Sequence, residues 1–153
     1  MNAEKRSFIE EQLVPAITAI PSDRPPLWGK MTLQQMTEHF AESVRIASGR
    51  MPYREILTPE EQLTKMRNFL VSDKPFRENT QNPLAPKIPD PVKNPSIAKA
   101  LQELDDEIRY FFQYFKKHPN NTTRNPFFGD LNFDQNVQLL YKHALHHLKQ
   151  FGA

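Results

Sequence analysis

Two histidines near the C-terminal end, in YKHALHHLKQFG, are the side chains best placed to do chemistry: His143 and His147 lie four residues apart. On a helix that spacing stacks two imidazoles one turn apart, with about 5–6 Å between Cβ atoms, a gap that one transition-metal ion can bridge. A third ligand is needed to complete such a site. His39, in MTLQQMTEHFAES, is the best candidate because it sits on a second strongly helical segment that can be brought across a bundle core. Three neutral imidazoles leave at least one coordination position for water or substrate, the pattern of a catalytic zinc site.

The chain has no cysteine, so a thiolate ligand, a cysteine nucleophile and a disulfide framework are all excluded, and a metal must be held by nitrogen and oxygen. At 153 residues the chain is about one domain long, and a single domain over residues 1–153 is expected. Twenty basic and eighteen acidic residues are interspersed rather than blocked, so no stripe suited to nucleic acid is present. The N-terminus, MNAEKRSFIEEQ, reads as charged and amphipathic rather than as a signal peptide. No apolar run approaches the roughly 18 residues of a membrane span, and a cytoplasmic protein is expected.

Apolar residues recur at helical spacing with almost no strict alternation, which predicts an all-α fold and argues against sheets. The first helix is expected from Ala3 to Ala19, with Phe8, Leu13, Ala16, Ile17 and Ile20 inward and a kink or shortening at Pro15. Thr32 and Gln35 form a capping box for a second helix whose inward stripe is Leu33, Met36, Phe40, Val44 and Ala47, ended by Gly49. Thr58, Pro59 and Glu61 repeat a start signal, N-cap then proline at the first helical position, for a short helix through about Leu70. From Ser72 to Pro95 six prolines exclude a helix and predict a long extended crossing loop. A four-helix bundle with such a crossover between its second and third main helices can set those two parallel.

The third main helix is marked by Ile97, Leu101, Leu104, Ile108, Phe111 and Phe115, with Lys116 and Lys117 suiting its C-terminal end. Asn132 and Gln135 cap the last helix, whose stripe is Phe133, Val137, Leu140, Ala144, Leu148 and Phe151. On these wheels His147 lies about 60–70° and His143 about 100° from the centre of the stripe, both on one side. His39 falls about 90° from its own stripe, beside Ser43, where a cleft between two helices would open. His146 points to the polar face and reads as a surface residue, with support of a ligand as the lesser reading. His118 reads as a solvated partner of a helix end. Glu38 and Glu42 read as solvated helix charges, so neither is assigned as a general base. Tyr141 and Trp28 read as core aromatics that could also line a pocket.

The His on the second helix, the long crossover and the terminal HxxxH resemble the DinB/YfiT-like superfamily of four-helix metalloproteins. PPLWGKMTLQQMTEHFAESV and NPFFGDLNFDQNVQLLYKHALHHLKQFG resemble a branch of it without an assigned reaction. By position, the resemblance implies a divalent metal, zinc or nickel, on His39, His143 and His147. It also implies a small-molecule substrate, because characterised members are transferases and isomerases using low-molecular-weight thiols such as bacillithiol or mycothiol. In that pattern the position of Asn125 is often histidine, which implies a changed supporting contact here. A metal-dependent thiol transferase or a hydrolase is therefore the first reading. The competing reading is a non-catalytic ligand-binding or interaction bundle with a vestigial site. A homodimer through one bundle face is a further expectation, because a helical seam serves a core and an interface equally well.

Overall fold

The computed structural model describes residues 3–78 and 88–153, so part of the expected crossover, with Pro83 and Pro86, lies outside the described residues. The chain is helical as the sequence predicts. In order it forms α1 (Ala3–Ser7), a π-helical turn (Phe8–Gln12), α2 (Leu13–Thr18), α3 (Leu33–Ser48), α4 (Glu60–Val71), α5 (Ile97–Lys117), β1 (Thr123–Asn125), β2 (Gly129–Leu131) and α6 (Phe133–Gln150). Four long pieces make the bundle: α1–α2 together, α3, α5 and α6, with α4 flanking. Among the described residues no helix is long and apolar enough to cross a membrane.

The strongest local signals are borne out in atomic detail. Thr32 and Asn132 each accept the backbone N–H of the glutamine three residues on, while Gln35 and Gln135 reach back to the cap N–H. Gly49 ends α3 in the left-handed region at φ +81°. All five residues of the α3 stripe are buried, as are Leu104, Ile108, Phe111 and Phe115 of α5 and Val137, Leu140, Ala144, Leu148 and Phe151 around α6. They form one cluster together with Ile9, Leu13, Ile17 and Ile20.

Three sequence expectations are revised. Where a kink or shortening is expected at Pro15, the helix runs on to Thr18 and the turn before α2 widens, with the N–H of Leu13 donating to the carbonyl of Phe8, five residues back. A proline cannot donate to a preceding turn, and a π-turn accommodates the shift in phase while carrying Ile9 into the core. At α4, Pro59 is itself the cap residue, and the Thr58 hydroxyl is spent on the Phe127 carbonyl at 2.7 Å. A small antiparallel hairpin also interrupts the all-helical pattern, pairing Thr123 with Leu131 and Asn125 with Gly129. Its strands are three residues long, too short for an alternating pattern to register.

Contacts along the helices set their directions. Gln34 and Glu38 meet Asn94 just before α5, and Arg45 meets Glu103 and Glu107 further on, so α3 and α5 run parallel as the crossover requires. His39 meets His143 and His147, whereas Ala47 meets the hairpin that leads into α6, so α6 runs antiparallel to α3. Lys5 reaches Gln138 and Phe8 packs on Tyr141, which sets the N-terminal helix parallel to α6.

Candidate metal centre

The antiparallel crossing of α3 and α6 brings His39, His143 and His147 together, with one ligand atom from each lying within 4.8 Å of the others. His143 is central. Its Nε2 lies 3.3 Å from Nε2 of His39 and 2.7 Å from Nε2 of His147. The rings of His39 stand nearly perpendicular to those of both partners, with centroids 5.2 Å away. His39 and His143 are half-buried, and His147 is only 6% exposed.

Burial holds all three imidazoles in the neutral form, the form that ligates a metal. Loss of hydration is the largest cause at each: His39 is lowered, His143 is lowered well below the ordinary histidine value, and His147 is pushed down to about 3. His147 and His39 further disfavour a charge on His143, His39 disfavours one on His147, and His146 disfavours one on all three. The Glu42 carboxylate works the other way at His39, and the Gln150 hydrogen bond does so at His147.

A three-imidazole ion fits this donor set. The shared approach of three Nε2 atoms sets nitrogen lone pairs against each other, an arrangement that a proton or a cation between them relieves. A tetrahedral zinc with Zn–N of about 2.0–2.1 Å spaces its nitrogens about 3.3–3.4 Å apart. The His39–His143 spacing already matches, and the His143–His147 spacing needs a small opening.

The surroundings differ from the sequence expectation at three residues. His146 is half-buried, not a plain surface residue: its ring packs 5.5 Å from Trp28, 6.0 Å from Phe76 and 5.2 Å from His147. Glu38 is buried at 8% exposure, not solvated, and accepts from the backbone of Lys93 and Asn94. Gln150, absent from the sequence reading, accepts from Nδ1 of His147 at 2.8 Å. Its spacing of three residues from His147 was the available signal, since that places both on one helix face. His118 caps the end of α5 with its ring 5.0 Å from that of Tyr114. The carboxamide of Asn125 belongs to the hairpin, where it accepts from the N–H groups of Phe127 and Phe128.

Phe40 and Phe76 wall the cluster, their centroids 5.1 and 6.2 Å from that of His143. Beyond Phe76 opens a groove of about 250 Å³, lined by Lys5, Phe76, Tyr141, Lys142, Leu145 and His146 among others. Lys142 is buried there, donating to the carbonyls of Phe69 and Ser72 at 2.6 and 3.0 Å, with its ammonium 3.8 Å above the Phe69 ring. Burial lowers its pKa, against the pull of Asp73. Tyr141 thus lines a groove as well as packing on the core.

No curated protein and no solved structure matches the chain. The family model described as the DinB superfamily matches residues 13–151, which takes in all three clustered histidines, both capping boxes and the hairpin. The chain belongs to the DinB superfamily.

Proposed function

We propose that His39, His143 and His147 hold one divalent transition metal, zinc or nickel, through their Nε2 atoms, and that the centre serves a transferase using a small thiol, or a hydrolase. The observation that carries this reading is the convergence of the three Nε2 atoms. When bound, such an ion supplies Lewis acidity that lowers the pKa of a thiol or water reaching its open position.

The residues around it account for the rest. Because the chain has no cysteine, a reacting thiol comes from a small molecule in solution. His39 and His143 are half-buried and keep some exposure for that molecule to reach, while His147 is buried. Phe40 and Phe76 keep water from the flanks of His143. The groove beyond Phe76 is small beside ligand pockets of about 300–1,000 Å³, which favours a compact substrate. Its lining carries four lysines, Lys5, Lys74, Lys142 and Lys149, against the two carboxylates of Asp73 and Glu78, a balance that suits an anionic group on that substrate.

The test is elemental analysis of the untagged protein after exchange into chelator-free buffer, with His39→Ala and His143→Ala beside it. About one equivalent of zinc or nickel in the wild type, lost in both variants, is the expected result, and screening thiol transfer and hydrolysis follows from it. A wild type that takes up neither metal on addition overturns the reading and leaves a non-catalytic helical module.

A further inference from the structure

Gln150 is buried, 4% exposed, and its side chain meets two groups of unlike character. Its Nε2 donates to the backbone carbonyl of Trp28 at 2.9 Å, and its Oε1 accepts from Nδ1 of His147 at 2.8 Å. An amide beside an imidazole can ordinarily be turned round, which leaves the tautomer of the ring undetermined. Here the Trp28 carbonyl prevents that. It can only accept, so the NH₂ end of the amide must face it, and the oxygen end must face His147. An oxygen acceptor requires a proton on Nδ1, and a neutral imidazole carries only one N–H. The lone pair therefore falls on Nε2, the atom that points at His143 across 2.7 Å.

Resting on the three-histidine site proposed above, we infer that Gln150 is a positioning residue of that centre, and that the Trp28–Gly29 turn sets through it which nitrogen of His147 is free to bind metal. The turn bears on both parts of Gln150. The N–H of Leu27 donates to its backbone carbonyl at 2.6 Å, while the carbonyl of Trp28 takes its side chain. Gly29 has φ +80°, a left-handed conformation that favours glycine, and a Cβ there would lie 3.0 Å from Gln150 Nε2 and crowd its amide. The sequence PPLWGK, remote from the histidines in the chain, becomes part of the support of the centre.

The decisive measurement is the ¹⁵N shift pattern of the His147 ring in the metal-free protein, read beside zinc affinity. The wild type is expected to show the Nδ1–H tautomer. Gln150→Leu is expected to give mixed tautomers and to weaken zinc binding about 10–100-fold, the range seen when support of a ligating histidine is removed. Gln150→Glu keeps an acceptor for Nδ1–H but sets an oxygen against the Trp28 carbonyl, so it is expected to retain the Nδ1–H tautomer at a lower folding stability. An Nε2–H tautomer in the wild type overturns the inference even if the leucine variant does not fold. So does a leucine variant whose tautomer and affinity match the wild type. The tautomer is read without metal, so a failure of metal uptake by the wild type refutes the proposed function separately.

Discussion

Glu38 stands one position before His39, yet its carboxylate is withdrawn from the chemistry of the centre. Its two oxygens accept from the backbone N–H groups of Lys93 and Asn94 at 2.8 and 3.0 Å, and from the side-chain amides of Asn94 and Gln34 at 3.0 and 3.2 Å. Burial raises its pKa, but the four donors together outweigh burial and hold it below the ordinary value of 4.5. A carboxylate held by four donors fixes the end of the crossover to α3. Glu38→Gln removes charge-assisted acceptance from these donors, and a loss of about 1–3 kcal/mol at pH 7 is expected by chemical denaturation. Because the folded pKa is depressed, the contribution is complete above the unfolded value and fades as pH falls through the folded one. The gap between variant and wild type should therefore narrow in acid below about pH 4.5.

Among the elements, the hairpin shows how a short insertion can lock two helices. The Thr123 hydroxyl donates to the carbonyl of Ala47 at the end of α3, at 2.8 Å, and accepts from Nδ2 of Asn136 on α6 at 2.9 Å. Asn136 also donates to the carbonyls of Leu131 and Asn132, so one buried network ties α3, the hairpin and the start of α6. These are the two helices that carry the histidines. Thr123→Val keeps the shape and removes the hydroxyl, taking from the Ala47 carbonyl its hydroxyl donor; a loss of about 1–3 kcal/mol is expected in urea denaturation. The same scale explains what the sequence concealed. Capping boxes and apolar stripes were legible because every group involved lies within a few residues. The π-turn was not, because a proline signals a conflict in the helix without specifying whether a break or a widened turn resolves it.

Across the whole molecule, the centre spans the bundle, joining residues 104 apart in sequence. A ligand that binds only the assembled set stabilises the fold by mass action, by about 2.7 kcal/mol at a free concentration one hundred times its dissociation constant. Added zinc is accordingly expected to raise the thermal midpoint of the metal-free protein and a chelator to lower it again, whereas His39→Ala should show no shift. Differential scanning calorimetry across a zinc titration measures this directly. Equal responses of wild type and variant would place the bound zinc elsewhere on the molecule.

The sequence by itself determined the main helices, the capping boxes of α3 and α6, the inward stripes and the three candidate ligands, since each depends on residue type and on spacings of three and four along one helix. It also determined that a thiol in the proposed reaction must come from outside the chain, because cysteine is absent. Only the tertiary structure decided the environments. Glu38 and His146 lie on helix faces that look polar on a wheel, but the end of the crossover covers one, and Trp28 and Phe76 cover the other. Gln150 looks like any polar residue near a helix end until the Trp28 carbonyl, more than a hundred positions away, fixes its amide and with it the nitrogen that His147 presents. Hydrogen bonds between distant segments leave no periodic trace in a sequence, whereas packing of a helix face does.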